Sequence, residues 1–373
     1  MNVESSVLAR YSQGAQERQA ALCCPVEYDR ELLKLLPQEI IDKDYGCGDP
    51  SRYVRDGDIV LDLGSGGGKV CYIAAQLVGP HGRVIGVDMN DDMLRLARKY
   101  RSDMAEKLGG DRVEFRKGYI QDLALDIEAM EHYLATHPAQ DLKSLSALHA
   151  WQREQRRARP LIADDSVDLI ISNCVLNLVD DGHKRQLFDE MFRVLKPGGR
   201  LAISDIVSDE PVPAAMKADP ELWSGCVAGA FQEQGFLQAF AEAGFSCINV
   251  DQWSAEPWQV VDGIEFRSAT VTAVKGYGKE CLDRGHALIY RGPFAEVRDE
   301  EGHTFPRGER IAVCERTFRF LTEGPLCASF IGIEPRELRE PVAWCAPPGT
   351  RRPAAETKGG RQIADCSDGV CCC

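Results

Sequence analysis

Two sets of residues in this chain have the types and spacing for chemistry. The first is Asp62-Leu63-Gly64-Ser65-Gly66-Gly67-Gly68-Lys69, between the apolar run Ile59-Val60-Leu61 and Val70-Cys71-Tyr72-Ile73-Ala74-Ala75. A strand, a glycine-rich turn and a helix make a nucleotide cradle: glycines let the backbone approach a ligand, and the helix start presents free N–H groups. The G-x-G-x-x-G fingerprint of dinucleotide sites requires a glycine where Lys69 stands, so that reading fails. D-x-G-x-G-x-G, on Asp62, Gly64, Gly66 and Gly68, does fit. A second run, Arg83–Asp88, ends in an acid about twenty residues on, the distance at which a carboxylate reaches ribose hydroxyls. The second set is thiols. Cys47 precedes the first strand, Cys174 follows the strand at Val167–Ser172, and Cys226 lies in a small-residue segment after the strand at Arg200–Ile206. Three thiols folded over one pocket mouth would bind a soft ion of three-fold geometry.

These residues need a scaffold. Strands are predicted at Ile59–Leu63, Arg83–Asp88, Val113–Arg116, Val167–Ser172 and Arg200–Ile206, and helices at Val70–Leu77, Asp91–Leu108 and His183–Leu195, stopped by Lys196-Pro197-Gly198-Gly199. Alternation of this kind means an α/β fold with a mostly parallel sheet covered on both faces. The domain expectation is an N-terminal helical segment with a cysteine loop over 1–40, a ligand-binding domain over 41–207 with an insert at 122–165, an accessory region over 208–279, a smaller α+β C-terminal domain over 280–346, and a disordered cysteine-ended tail over 347–373. The charged insert reads as an inserted solvated helix pair, with a cap over the site as the alternative.

In such a sheet the ligand lies beyond the C-terminal strand ends. That places Asp88 and Met89 after the second strand, Ile120 and Gln121 after the third, and Asn173 and Cys174 after the fourth. Met89 is expected to cover an adenine face and Gln121 to bond an adenine amine. The glycine loop resembles motif I of the S-adenosylmethionine methyltransferases, which implies a seven-stranded Rossmann-like sheet and S-adenosylmethionine as methyl donor. Trivalent arsenic suits the thiols: its lone pair can attack a methyl directly, and no convincing His or Glu base is found near the pocket.

Tyr45-Gly46-Cys47-Gly48, Asp62–Gly68, Gly118-Tyr119-Ile120, Ser172-Asn173-Cys174-Val175-Leu176-Asn177-Leu178 and Trp223-Ser224-Gly225-Cys226 together resemble the arsenite methyltransferase family. The resemblance covers roughly residues 40 to 275, outside the insert. It implies methylation of arsenite and methylarsenite on thiolates as arsenic detoxification, with thioredoxin or glutathione as reductant. It also implies that Cys47, Cys174 and Cys226 are active-site cysteines holding As(III), that a fourth is Cys23 or Cys24, and that Tyr45 lines the donor side. The long insert and the Cys23-Cys24-Pro25 doublet depart from the family pattern and leave open another soft or small substrate (selenium, tellurium, an organic thiol). A non-catalytic metalloid-binding thiol protein is the rival of a different class.

Composition bounds the rest. A chain of 373 residues with 44% hydrophobic and 27% charged content is an ordinary globular polypeptide with room for more than one domain. A net charge of -14 argues against a nucleic-acid partner. No apolar run approaches a membrane span and the first twenty or so residues are polar, so a cytoplasmic protein is expected, its 15 cysteines largely thiols. Without a C-x-x-C pair or clustered histidines, a structural zinc site is not expected.

Overall fold

The computed structural model describes residues 3–17, 19, 26–43, 45–278, 280–337, 339–344 and 346–357. The chain divides into two compact units, Met1–Lys275 and Gly276–Cys373.

The larger unit opens with helices α1 (Val3–Gln16), α2 (Arg30–Leu33) and α3 (Gln38–Asp42). It then alternates β1 (Ile59–Leu63), α4 (Lys69–Leu77), β2 (Arg83–Asp88), α5 (Asp91–Lys99), α6 (Arg101–Leu108) and β3 (Val113–Lys117). The insert forms α7 (Ile127–Thr136) and α8 (Leu142–Ala158), and the alternation resumes with β4 (Val167–Asn173), α9 (Asp181–Val194) and β5 (Leu195–Ser208). After α10 (Ala214–Lys217) and α11 (Pro220–Ser224) come β6 (Phe231–Gln232), α12 (Glu233–Glu242), β7 (Phe245–Trp253), β8 (Gln259–Val261) and β9 (Ile264–Lys275). Seven strands run in the order β3-β2-β1-β4-β5-β9-β7, with β6 and β8 paired to the side. The first five are parallel, because each crossover carries helix; β9 and β7 add antiparallel.

β1 and β4 lie at the sheet centre, and Val60, Leu61, Leu63, Leu169, Ile170 and Ile171 are wholly buried. Continuous apolar runs are what a strand covered on both faces requires. One face packs on Leu187, Phe188, Met191, Phe236 and Phe240, the other on Tyr72, Ile73, Leu94 and Met104. The insert is the expected helix pair. Asp126 and the Asp141/Ser144 capping box start its helices, Tyr133 stacks on Trp151 at 4.7 Å, and Arg156 pairs with Asp122 at 2.7 Å.

The accessory region expected at 208–279 is not separate: β9 pairs with β5 from Phe266 to Val274 and completes the main sheet. The strand order reverses between β1 and β4, which leaves a crevice at their C-terminal ends.

The smaller unit contains β10 (Leu282–Asp283), β11 (Ala287–Tyr290), β12 (Glu296–Arg298), β13 (Thr304–Pro306), β14 (Arg310–Ala312), α13 (Glu315–Glu323), β15 (Phe330–Ile333) and β16 (Val342–Ala343). Sheet β14-β11-β15 buries Leu288, Ile311, Phe318 and Phe330. Part of the expected tail belongs to this unit. Arg351 bridges to Ile311, and the buried Arg352 guanidinium meets the Asp283 carboxylate at 2.6 Å. A buried ion pair overrides the loop-like composition of 347–357. The remainder of that tail, with Cys371–Cys373, lies outside the described residues, as does the Cys23/Cys24 doublet.

Candidate active site

One cavity opens at the crevice, lined by Tyr45, Asp62, Gly64, Gly66, Asp88, Met89, Ile120, Gln121, Asn173 and Cys174, all anticipated from sequence. The glycine loop is organised by Asp88. Its carboxylate accepts from the N–H groups of Gly66 and Asn90, each at 2.8 Å. Burial pushes the Asp88 carboxyl up, and these backbone N–H groups oppose that shift. Gly66 has φ +50° and a Cβ there would meet no protein atom within 4 Å, so the space above the turn is open to a ligand. Gly68, at φ +85°, is the N-cap residue of α4, so the helix start faces the glycine turn. Asp62 is buried and accepts from the Cys71 thiol at 3.1 Å. A nucleoside with vicinal hydroxyls fits this donor set: an open glycine turn, a carboxylate after β2, and Met89, Ile120 and Gln121 beyond.

Cys174 lines the same cavity, and Cys47 and Cys226 lie against it. The backbone of Cys174 leaves β4 at φ +59°, and Cys226 leaves the turn after α11 at φ +63°. Cys226 donates its thiol to the Cys174 carbonyl at 3.3 Å. Cys47 and Cys174 are joined in a disulfide with Cα atoms 5.8 Å apart. The three cysteines expected to act together are thus neighbours, a disulfide with the Cys226 thiol beside it. Elsewhere in the chain, Cys327 is exposed, and Cys247 and Cys281 are half-buried.

Asn173, which lines the cavity, is also tied to the cysteine loop. Its Oδ1 accepts from the N–H groups of Cys47 at 2.8 Å and Gly48 at 3.0 Å, while Nδ2 donates to the Gly48 carbonyl at 2.7 Å and the Tyr28 hydroxyl at 3.0 Å. Both ends of the amide hold the cysteine loop. Gly46 permits this approach, since a Cβ there would fall 2.1 Å from Nδ2.

Helix α1 covers the cavity with Glu4, Val7 and Tyr11, none of them anticipated as site residues. The Tyr11 ring stands edge-on to Tyr45 at 6.1 Å, and its hydroxyl lies 3.8 Å from Cys226 Sγ. Burial, reinforced by Cys226, pushes the Tyr11 phenol well up. Val3, Val7 and Tyr11 repeat every four residues, an apolar stripe that signals a docked helix. Asn90 ties the helix down by donating to the Leu8 carbonyl at 3.2 Å. Asp205, fully buried, was also missed. It accepts from the N–H groups of Leu176 and Ile206 at 2.9 and 2.8 Å, fixing the segment after Cys174. Burial lifts its carboxyl to about 7.

This fold and site are those of an S-adenosylmethionine-dependent methyltransferase, and a methyltransferase-domain family model matches residues 55–133 and 145–244. Residues 278–362 match a model described only as a domain of unknown function. The arsenite methyltransferase of Aquipseudomonas alcaligenes is 33% identical over 330 residues, covering 83% of this chain and 84% of that one. The human arsenite methyltransferase is 30% identical, covering 81% and 74%. The crystal structure of an arsenic(III) S-adenosylmethionine methyltransferase from Chlamydomonas reinhardtii superposes with a TM-score of 0.54 at 27% identity, covering 88% of this chain and all of that one. The chain belongs to the arsenite methyltransferase family.

Proposed function

We propose that this enzyme transfers the methyl group of S-adenosylmethionine to trivalent arsenic held on Cys47, Cys174 and Cys226, taking arsenite and then methylarsenite. The meeting of Cys47 and Cys226 with Cys174, which lines the glycine-loop cavity, carries the reading. When bound, S-adenosylmethionine supplies an electrophilic methyl on a sulfonium. Asp88 holds the ribose hydroxyls, Met89 and Gln121 face the base, and Tyr45 and Tyr11 close the N-terminal side and keep water out. The thiolates hold arsenic with its lone pair toward the donor, so no general base is needed. Adding a methyl cation to As(III) raises it formally to As(V). Closing two thiolates to a disulfide returns two electrons, and Cys47–Cys174 is a pair that can do so. A thiol reductant of the thioredoxin or glutathione kind then reopens it. Detoxification of arsenic in the cytoplasm follows from such a reaction; among the described residues no helix is long and apolar enough to cross a membrane.

The test is product speciation for serine variants under excess thiol. Serine keeps the size but is a hard ligand for a soft centre. Inorganic As(III) has three exchangeable ligands and methylarsenite two. Cys174→Ser and Cys226→Ser are therefore expected to abolish turnover of both substrates. Cys47→Ser, or joint replacement of Cys23 and Cys24, is expected to abolish arsenite turnover while sparing part of the activity on methylarsenite. Full arsenite turnover by Cys174→Ser would end the thiolate reading. Turnover of selenite or tellurite in place of arsenite would redirect it.

A further inference from the structure

Helix α1 is bonded to both halves of the site. On the donor side, the Asn90 amide donates to the Leu8 carbonyl at 3.2 Å and the Ser12 hydroxyl at 3.1 Å, while the Asn90 N–H meets the Asp88 carboxylate at 2.8 Å. On the thiol side, Arg10 Nη1 donates to the Glu221 carbonyl at 2.7 Å and the Ser224 hydroxyl at 3.0 Å. Both acceptors belong to α11, and neither is a carboxylate. That helix has five residues, too few to be stable by itself. Asp219 caps its start at 2.8 and 3.2 Å, Trp223 is buried beneath it, and Arg10 grips its last turn. Two residues past Ser224, Cys226 takes φ +63°, a left-handed backbone that persists only where its surroundings fix it. Tyr11, next to Arg10 on α1, sets its hydroxyl 3.8 Å from Cys226 Sγ.

The donor cavity is lined by Glu4, Val7 and Tyr11 of the same helix. A ligand there binds better when α1 is docked, so by mass action it holds the helix down. A docked α1 carries Arg10 and Tyr11 onto the Cys226 turn. We propose that Arg10 is a positioning residue for Cys226, through which an occupied donor cavity fixes the turn that carries this thiol. By reciprocity, ordering that turn favours donor binding by the same factor. Cys226 is then held firmly only when a methyl donor is in place. What this gains for arsenic rests on the thiolate site proposed for Cys47, Cys174 and Cys226; the placement of Cys226 does not.

The experiment follows alkylation of Cys226 by iodoacetamide in the full chain, read by peptide mass spectrometry, with and without saturating S-adenosylhomocysteine, its occupancy checked by calorimetry. No arsenic is present: a parent that shows the protection but no arsenite turnover would sink the proposed reaction and leave the role of Arg10 standing. A buried thiol reacts through local opening, so the rate reports how often the turn lets go. In the parent, the ligand is expected to slow alkylation about tenfold, within the usual range of coupling between sites. Arg10→Ala is expected to raise the ligand-free rate about tenfold, as for lost hydrogen bonds from a charged group, and to erase most of the protection. Alanine is the best helix former, so α1 is retained. Arg10→Lys is expected to restore the protection, since both bonds leave one nitrogen and an ammonium has three donors. Buried Cys71 reports general loosening and is expected to keep its ligand-free rate. Full protection in Arg10→Ala would show that the ligand shields Cys226 directly and would overturn the proposal. So would an unprotected parent, or a rise at Cys71 equal to that at Cys226.

Discussion

Replacing Asn173 with alanine separates holding the cysteine loop from binding the donor. The amide makes four bonds to the loop and to Tyr28, at 2.8, 3.0, 2.7 and 3.0 Å. Alanine leaves the Cys47 and Gly48 N–H groups without an acceptor. An unsatisfied donor costs about 1–3 kcal/mol, and these groups are part-buried, so water recovers some of that. The Ser268 hydroxyl still donates to the Cys47 carbonyl at 2.7 Å, which retains part of the loop's order. A net loss of roughly 1.4–2.8 kcal/mol corresponds to a ten- to a hundred-fold fall in the population with Cys47 in place. Arsenite turnover at saturating donor is expected to fall by that factor, while calorimetry finds S-adenosylmethionine affinity within about threefold of the parent. Asn173→Asp keeps the acceptor but sets a carboxylate oxygen against the Gly48 carbonyl, and is expected to be no better than alanine. The opposite pattern, donor affinity down about tenfold with turnover intact at saturation, would return Asn173 to the donor site and refute the reasoning.

Asp205 makes stability depend on pH. Its folded carboxyl titrates at about 7 against about 3.9 in an unfolded chain, so the folded protein binds the extra proton between those values. Stability is then greatest below the lower value and declines as pH rises through the window; urea unfolding of Asp205→Asn from about pH 4 to about pH 8 is expected to show a shallower decline, and an unaltered slope would contradict the assignment. Arg352→Ala strands the Asp283 carboxylate, only 13% exposed, and is expected to destabilise the smaller unit by roughly 3–5 kcal/mol, read as a lower melting transition or earlier proteolysis of that unit.

What could be read from the chain was what local signals carry. The turn at Gly64–Gly68 and the acid closing β2 are each written within a few residues and fall at their expected element boundaries, whereas Lys196–Gly199, expected as a stop between helix and strand, lies within β5. Membership of β7 and β9 in the main sheet was implied only by the seven strands that the resemblance carried, because the pairing of Asp205 with Ala269 spans a separation no local pattern encodes. Asn173 could be placed at a strand end, but which groups its amide meets depends on a loop more than a hundred residues away. The stripe Val3, Val7, Tyr11 was available as a sign that α1 docks; what it docks over was not. For 347–357, composition favoured disorder because the partner of Arg352 lies far back in the chain, at Asp283.

The positive φ of Cys174 and Cys226 has a consequence for the enzyme's evolvability. A left-handed backbone costs a residue with a Cβ on the order of 1 kcal/mol that glycine escapes. At both positions glycine would escape that local cost, while the proposed arsenic site needs a thiol. On the proposed reading, glycine at either position would relieve that strain and silence the enzyme in the same step. The demand for a soft ligand would then be what keeps two side chains on a backbone turn that glycine enters more readily.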